Sequence, residues 1–237
     1  MAAIDDNLQA VAARIREAAR AAGRDASAVR LLAVTKTVPH AAISEAYAAG
    51  QRSFGENYVQ EALDKQAALA AAGSCGDIEW HLIGPLQSNK TRAAAQCFDW
   101  VHTIDREKVA RRLSDARPAG APPLNVLVQV NVSGEASKSG VPPGEAEQLA
   151  RAVTQCPRLR LRGLMAIPEP TDDARLQAER YHSVRALFDA MNASGFALDT
   201  LSMGMSQDLE AAIAQGSTMV RVGTALFGER DYAKAAA

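Results

Sequence analysis

Short apolar runs alternate with amphipathic stretches along nearly the whole chain. Runs of strand length and apolar composition cover 31–36, 52–55, 79–83, 100–104, 125–131, 161–166, 199–203 and 218–222. Between them, helical spacing of apolar residues covers 40–49, 57–72, 105–115, 143–155, 173–194 and 207–215, with a shorter helix over 87–97. An amphipathic helix built on Ile4, Leu8, Val11 and Ile15 precedes the first strand and ends near Gly23. This alternation predicts a parallel sheet.

The number of these units predicts that the sheet closes into a barrel. Eight strand–helix units in 237 residues match the usual size of a (β/α)8 barrel. An open doubly wound sheet is the alternative, which periodicity alone does not exclude. The barrel is favoured because no G-x-G-x-x-G fingerprint follows the first strand and because polar residues cluster just after the strand ends. We predict an α/β fold, one TIM-barrel domain over 1–237 with an extra N-terminal helix.

Composition limits the classes of function. Apolar residues make up 48% of the chain and charged residues 22%, and the net charge is −1, so no broad positive field is available for nucleic acid or anionic lipid. No apolar run approaches the roughly 20 residues of a membrane span. The acidic N-terminus has no signal pattern. The spacing of Cys75, Cys97 and Cys156 fits neither a disulfide framework nor a zinc site, which favours a reducing cytoplasm.

Lys36 closes the first apolar run and is the most informative residue of the chain. An amine at the end of a buried strand points into the mouth of the sheet, partly shielded from water. Shielding disfavours the charged form of an amine and makes it nucleophilic toward aldehydes. Lys36 is therefore a candidate Schiff-base lysine. The alternative is a lysine that extends into solvent from a strand end.

The segments after the seventh and eighth strands are typical of a phosphate site. Ser206 follows strand seven and is placed to cap the next helix, while Gly223, before Thr224, lets the backbone approach a ligand closely. Barrels often bind phosphate with these two loops. Singly, the residues are consistent with a helix cap and a turn. Together, opposite Lys36, they predict a phosphorylated aldehyde, of which pyridoxal phosphate is the commonest.

Arg221, in the eighth strand, bears on the chemistry of such a ligand. The usual partner of the pyridine nitrogen in an electron-sink enzyme is a carboxylate, which keeps that nitrogen protonated. An arginine is always cationic and keeps the nitrogen unprotonated, which weakens carbanion stabilisation. The alternative is a structural ion pair between Arg221 and an acid such as Glu229.

Other strand ends add further candidates. Strand two leads to Asn57, and Asp105 after strand four is predicted to cap the next helix. The loop 133–140 after strand five carries Lys138, a second candidate amine. The histidines show no H-E-x-x-H spacing, and the chain has neither a G-x-S-x-G elbow nor a P-loop, so metal-dependent, serine and nucleotide hydrolysis are disfavoured.

Six longer segments resemble the pyridoxal phosphate homeostasis proteins of the YggS/PROSC type. They are 31–37 (LLAVTKT), 54–61 (FGENYVQE), 80–90 (WHLIGPLQSNK), 163–168 (GLMAIP), 201–206 (LSMGMS) and 220–228 (VRVGTALFG). The resemblance spans nearly the whole chain, and motifs of this length are specific. It implies a barrel like the N-terminal domain of alanine racemase, with pyridoxal 5'-phosphate held as an internal aldimine.

The resemblance also implies roles for individual residues. Lys36 matches the aldimine lysine, Asn57 lies beside the ring, and Arg221 faces the pyridine nitrogen. The remaining cofactor-binding residues are Ser202, Gly204, Ser206, Gly223 and Thr224, of which the last three hold the phosphate. Lys138 matches a loop lysine of bacterial members, and we conjecture a role in cofactor transfer. Val38 departs from the pattern, since some bacterial relatives carry a lysine there.

We expect a cytoplasmic monomer that buffers pyridoxal phosphate or delivers it to apo-enzymes, without robust catalytic turnover. A racemase of this type needs a second base, which related enzymes take from an extra β-rich domain. The chain ends soon after the eighth strand and leaves no room for that domain. The alternatives are a pyridoxal phosphate-dependent amino-acid racemase or lyase, and a Schiff-base aldolase acting on a sugar phosphate.

Overall fold

The predicted strands close into a barrel in a computed structural model of the protein. The structure describes residues 2–73, 75–133 and 139–229. Within these residues the strands pair in parallel in chain order, β1 to β8, and β8 pairs back with β1. The predicted (β/α)8 barrel is confirmed, and the open doubly wound sheet is wrong, because an open sheet leaves two unpaired edges.

Strands and helices alternate along the described chain. The strands are β1 Arg30–Val34, β2 Ser53–Glu56, β3 Glu79–Leu82, β4 Trp100–Ile104, β5 Leu124–Val130, β6 Leu159–Ala166, β7 Thr200–Met205 and β8 Met219–Val222. The helices are α1 Ala2–Ala21, α2 His40–Ala48, α3 Val59–Ala71, α4 Thr91–Cys97, α5 Glu107–Ala116, α6 Pro143–Thr154, α7 Ala174–Ala193, α8 Leu209–Ala214 and α9 Thr224–Phe227. The predicted N-terminal helix is α1. No described helix is long and apolar enough to cross a membrane.

The core has two layers because barrel strands bury both faces. The outer layer lies between the strands and the surrounding helices, whose apolar stripes cover the barrel. The inner layer contains two small clusters of buried apolar side chains: Leu32, Val34, Ile83 and Met219, and Trp100, Leu127 and Met165. Helix α1 packs on α8 and α9, next to the ends of β7 and β8.

Two predicted features near strand ends were wrong: the last residue of the first strand and the residue that caps the helix after the fourth strand. Strand β1 ends at Val34 rather than at Lys36, because Thr37 adopts a φ of 61° and turns the chain away. Asp105 does not cap α5. Arg106 takes the N-cap position, without a side-chain hydrogen bond to the helix, and the Asp105 carboxylate lies 3.7 Å from Arg106 Nε.

The helix predicted over 207–215 begins only at Leu209, so the prediction that Ser206 caps it was wrong. Asp208 holds the N-cap position, and its carboxylate accepts the backbone N–H of Met205 at 2.5 Å and the Tyr181 hydroxyl at 2.6 Å. These bonds hold residues 205–208 in a turn instead of a first helical turn.

Candidate functional site

Lys36 lies in a sharp turn directly after β1. Thr35 still donates its N–H to the Gly55 carbonyl at 2.9 Å, and Thr37 then takes its φ of 61°. A β-branched residue in this left-handed region is strained, so other contacts must hold the turn. The Lys36 side chain is half-buried, and no described residue pairs with its amine. The turn therefore presents a partly shielded, unpaired amine at the mouth of the barrel.

A largely buried group of polar residues holds this turn, and we call Thr35, Thr37, Glu56, Glu61 and Lys65 the Lys65 cluster. Lys65 Nζ donates to the Thr35 carbonyl at 2.6 Å, to Glu56 Oε1 at 2.7 Å and to Glu61 Oε1 at 2.6 Å. Glu56 also accepts the Thr35 hydroxyl at 2.7 Å, and Glu61 accepts the Thr37 N–H at 2.5 Å. The residues on both sides of Lys36 are thus tied to charged groups on β2 and α3.

The Lys65 cluster sets two carboxylates against one ammonium group. The Glu56 side chain is 0% exposed and that of Lys65 is 10% exposed. Burial raises the pKa of Glu56, and the charge and hydrogen bond of Lys65 oppose that rise. Glu56 Oε2 has no hydrogen-bond partner among the described residues. The buried carboxylate, and with it the turn that carries Lys36, depends on Lys65.

The loops after β7 and β8 meet, as the sequence predicted. Ser206 Oγ lies 3.5 Å from the backbone N–H of Ala225 in α9, at the long limit of a hydrogen bond. Gly223 is buried at the N-cap position of α9, and Thr224 is exposed beside it. Hydroxyl groups and backbone N–H groups at the start of a helix are donors of the kind that bind phosphate oxygens. Ser206 therefore faces α9 instead of capping α8.

Helix α1 anchors both of these loops. Arg14 donates to both carboxylate oxygens of Glu210, at 2.8 and 3.0 Å, and to the Ser206 carbonyl at 2.9 Å. Asn7 donates to the Leu226 carbonyl at 2.9 Å. The extra N-terminal helix therefore fixes the positions of the two loops relative to each other.

Gly204 lies in a bulge of β7, where the pairing with β8 shifts register between Ser202 and Met205. Its φ is 93°, and a Cβ atom there would lie 2.5 Å from Cβ of Ala212 in α8. Only glycine fits both the backbone conformation and this close approach. The need for glycine at this position therefore comes from packing of the loop on α8.

Arg221 is buried in the barrel interior, with 3% of its surface exposed. Its two terminal nitrogens donate to Ser202 Oγ at 2.7 Å and to the Ala166 carbonyl at 2.9 Å. Within the described part of the chain it pairs with no carboxylate, so the alternative of an ion pair with Glu229 was wrong. Burial lowers the pKa of Arg221, but a guanidinium stays charged at neutral pH. A buried cation without a counter-ion is costly, and an anionic or electron-rich ligand would compensate it.

Asn57 follows β2 and is half-buried beside the loop after β3. A Cβ atom at Gly84 would lie 2.2 Å from the Asn57 carbonyl oxygen, so the two loops are in direct contact. The Gly84 carbonyl in turn accepts the Thr103 hydroxyl at 2.9 Å. The loop after β3, which Thr103 of β4 holds in turn, therefore packs directly against the backbone of Asn57.

The predicted site residues come from four strands that are consecutive in the closed barrel, β7, β8, β1 and β2. Residues 202–206 run from the middle of β7 into the loop after it, residues 221–224 run from the end of β8 to the start of α9, and Lys36 and Asn57 follow β1 and β2. The closed sheet thus brings positions far apart in sequence to one side of the mouth. Lys138 lies outside the described residues.

The chain is similar to known proteins over almost its full length. Residues 7–231 match the family described as alanine racemase, N-terminal domain. Proteins named pyridoxal phosphate homeostasis protein are 62% identical in Pseudomonas aeruginosa and 55% identical in Escherichia coli, each over 98% of both chains. The structure of PipY from Synechococcus elongatus with PLP bound has a TM-score of 0.83 at 36% identity, covering 95% of this chain and 100% of that one. The chain belongs to the pyridoxal phosphate homeostasis protein family.

The family that the sequence motifs predicted is therefore confirmed, but two features of this family member were missed. One is the Lys65 cluster, for which the only signal was the i, i+4 spacing of Glu61 and Lys65 in a predicted helix. The other is a pair of buried histidines, His81 and His102, whose ring nitrogens lie 2.9 Å apart inside the barrel. The sequence placed each histidine on one of two neighbouring strands. That both side chains point inward and meet could be inferred only once the barrel was known.

Proposed function

We propose that this chain binds pyridoxal 5'-phosphate at the mouth of its barrel, holds it on Lys36, and buffers or delivers the cofactor. The observation that carries the proposal is the half-buried, unpaired amine of Lys36 in a chain 62% identical to a pyridoxal phosphate homeostasis protein. When bound, the cofactor supplies an aldehyde with which a primary amine condenses, releasing water.

The residues around Lys36 suit such a ligand. In our proposal the phosphate is held by the Ser206 hydroxyl and by the backbone around Gly223 and Thr224, where donors already converge. Arg221 would face the pyridine nitrogen of the bound cofactor, and Asn57 would lie beside its ring. Ser202 and Gly204 contribute indirectly in this proposal. Ser202 accepts a hydrogen bond from Arg221, and Gly204 lets the loop after β7 pack on α8.

Loading and trapping test the role of Lys36. We expect the purified protein, incubated with pyridoxal phosphate, to gain visible absorbance and, after borohydride reduction, a fixed adduct on the peptide that contains Lys36. The variant Lys36→Ala should lose the adduct, whereas Lys108→Ala, at an exposed lysine of α5, should keep it. Full absorbance in Lys36→Ala, or an adduct mainly on another lysine, contradicts the assignment.

Storage and delivery, as opposed to catalysis, need a separate test. A cationic Arg221 does not protonate the pyridine nitrogen, so exchange of amino-acid α-protons into heavy water should be far slower than ordinary turnover of about 10 per second. Exchange at ordinary rates would establish a racemase or lyase instead. A loaded sample mixed with an apo-enzyme that needs pyridoxal phosphate should restore that enzyme's activity.

The finer parts of the proposal are a monomeric state, a cytoplasmic location and a transfer role for Lys138. Sedimentation equilibrium measures the first, and cell fractionation measures the second. If Lys138 assists transfer, Lys138→Ala loads normally but slows delivery to the apo-enzyme. Equal delivery rates for Lys138→Ala and the unchanged protein would remove Lys138 from the mechanism.

A further inference from the structure

A chain of hydrogen bonds runs through the barrel interior from the start of β3 to β8. His81 Nε2 lies 3.1 Å from Oε2 of Glu79, and its Nδ1 lies 2.9 Å from Nε2 of His102. His102 Nδ1 lies 3.1 Å from Ser202 Oγ, which accepts from Arg221 at 2.7 Å. Both histidines and Ser202 are 0% exposed. We call Glu79, His81, His102, Ser202 and Arg221 the interior chain.

The donors and acceptors fix the direction of every bond in the interior chain when both imidazoles are neutral. The Glu79 carboxylate can only accept, so His81 donates from Nε2 and its Nδ1 is an acceptor. His102 must then donate from Nε2, which leaves its Nδ1 to accept the hydroxyl proton of Ser202. Ser202 Oγ is thereby free to accept from Arg221. All four bonds run toward Glu79, and both histidines are Nε2–H tautomers.

The surroundings favour these protonation states. Burial lowers the pKa of both His81 and His102, which keeps them neutral at pH 7. For Glu79, burial acts to raise the pKa, but hydrogen bonds from His81 and Trp100 and the charge of Arg30 lower it overall, so Glu79 is ionised. The other ionisable groups that act on the interior chain are Asp99, Tyr181 and Asp208.

We propose that His81 and His102 are positioning residues for Arg221, because their fixed tautomers keep Ser202 an acceptor and so hold the guanidinium in place. Only the consequence for the cofactor rests on the proposed function above. Protonation of either imidazole reverses the bond between His102 and Ser202, because His102 Nδ1 then donates to Ser202. The Ser202 oxygen then receives two donors, and its own proton loses its acceptor. The position of Arg221 thereby depends on both imidazoles staying neutral.

Nitrogen NMR on cofactor-free protein with 15N-labelled histidine tests the tautomers directly. We expect His81 and His102 to show the Nε2–H tautomer and to keep it between about pH 6 and pH 9. A freely exposed imidazole changes its protonation state within this range, because its pKa is about 6.5. The exposed His40 and His182 supply reference signals from the same sample. An Nδ1–H tautomer for either buried ring, or a doubly protonated ring at pH 7, overturns the proposal.

The variant His102→Leu tests the effect on Arg221. It removes the acceptor for the Ser202 proton, so we expect bound pyridoxal phosphate to leave about tenfold faster, the effect of one weakened hydrogen bond to a charged group. The visible absorbance of the loaded protein should also change its pH profile. His182→Leu, at an exposed position of α7, is the matched control and should change neither.

The outcomes separate the two proposals. If the unchanged protein does not bind the cofactor at Lys36, the proposed function fails. The NMR measurement of the two histidine tautomers still tests the interior chain, because it uses cofactor-free protein. If the cofactor binds but His102→Leu matches His182→Leu in release rate and pH profile, the positioning role is rejected. Should His102→Leu not fold, His102→Phe, which keeps a ring at this position and likewise offers Ser202 no acceptor, is measured with the same criteria.

Discussion

Replacement of Lys65 by methionine should destabilise the protein and loosen the turn that carries Lys36. Methionine keeps an unbranched side chain only one atom shorter than that of lysine, and it keeps the helical preference of α3, but it removes the ammonium group. That group now makes three hydrogen bonds, at 2.6, 2.7 and 2.6 Å, and ion pairs with Glu56 and Glu61. Removing one partner of a buried ion pair costs about 3 to 5 kcal/mol, because the other charge is left uncompensated.

The loss should depend on pH with a definite sign. The pKa of Glu56 is already raised above its ordinary value of 4.5 by burial, so the folded protein holds this proton more tightly than the unfolded chain does. Such a group makes the folded state less stable as pH rises from that ordinary value through the folded pKa. Without Lys65 the pKa of Glu56 rises further, so the deficit of Lys65→Met is largest at alkaline pH.

Urea and thermal unfolding at two pH values measure this effect. We expect a loss of about 3 kcal/mol at pH 8, or about 6 to 12 °C in Tm, and a loss about 1 kcal/mol smaller at pH 5.5. The fraction of Lys36 trapped by borohydride with pyridoxal phosphate should fall in parallel. Lys108→Met, an exposed position in α5, is the control. A deficit no larger than that of Lys108→Met, or one that grows as pH falls, refutes this account of the Lys65 cluster.

Two further substitutions and one labelling experiment test other parts of the structure. Arg14→Ala removes the bonds that anchor the Ser206 loop, so pyridoxal phosphate should dissociate a few-fold faster, whereas dissociation of pyridoxal without phosphate should be unaffected. Loss of the surface ion pair with Glu210 should cost at most about 1 kcal/mol of stability. Gly204→Ala places a methyl group 2.5 Å from Ala212 at a φ of 93° and should cost about 1 to 3 kcal/mol in urea unfolding; no loss would mean that the loop shifts freely. Burial raises the pKa of Cys97 to about 12, so iodoacetamide at pH 8 should label it only after unfolding. Rapid labelling of the peptide that contains Cys97 in the folded protein, read separately from that of the free Cys75, would contradict its shielding.

The fold was predictable because its signals are local and repeated. Each strand is a short apolar run, and each helix shows its own period, so element order followed from the sequence. Boundaries were less predictable where long-range contacts decide them. Strand β1 stops early because Glu61 binds the N–H of Thr37, and α8 starts late because Asp208 binds Met205 and Tyr181. These bonds leave no trace in periodicity.

The candidate site was likewise predictable only in part. Lys36, Asn57 and the residues of the β7 and β8 loops could be proposed because each lies just after a strand, where a parallel barrel collects its functional groups. The partners of Arg221 could not be predicted, since its hydrogen bonds are to Ser202 and to the carbonyl of Ala166, which is 55 positions away. Sequence reasoning offered Glu229 instead, because a nearby acid is the simplest partner for a buried arginine.

The sequence by itself determined the alternation of strands and helices, the amine shortly after the first strand, and the family. Only the tertiary structure decided how that amine is held and what lies behind Arg221. The Lys65 cluster joins residues from the turn after β1, from β2 and from α3, and the interior chain joins His102 to Ser202 across 100 positions. Hydrogen bonds require distances near 3 Å, and closure of the barrel is what brings such distant groups within that range.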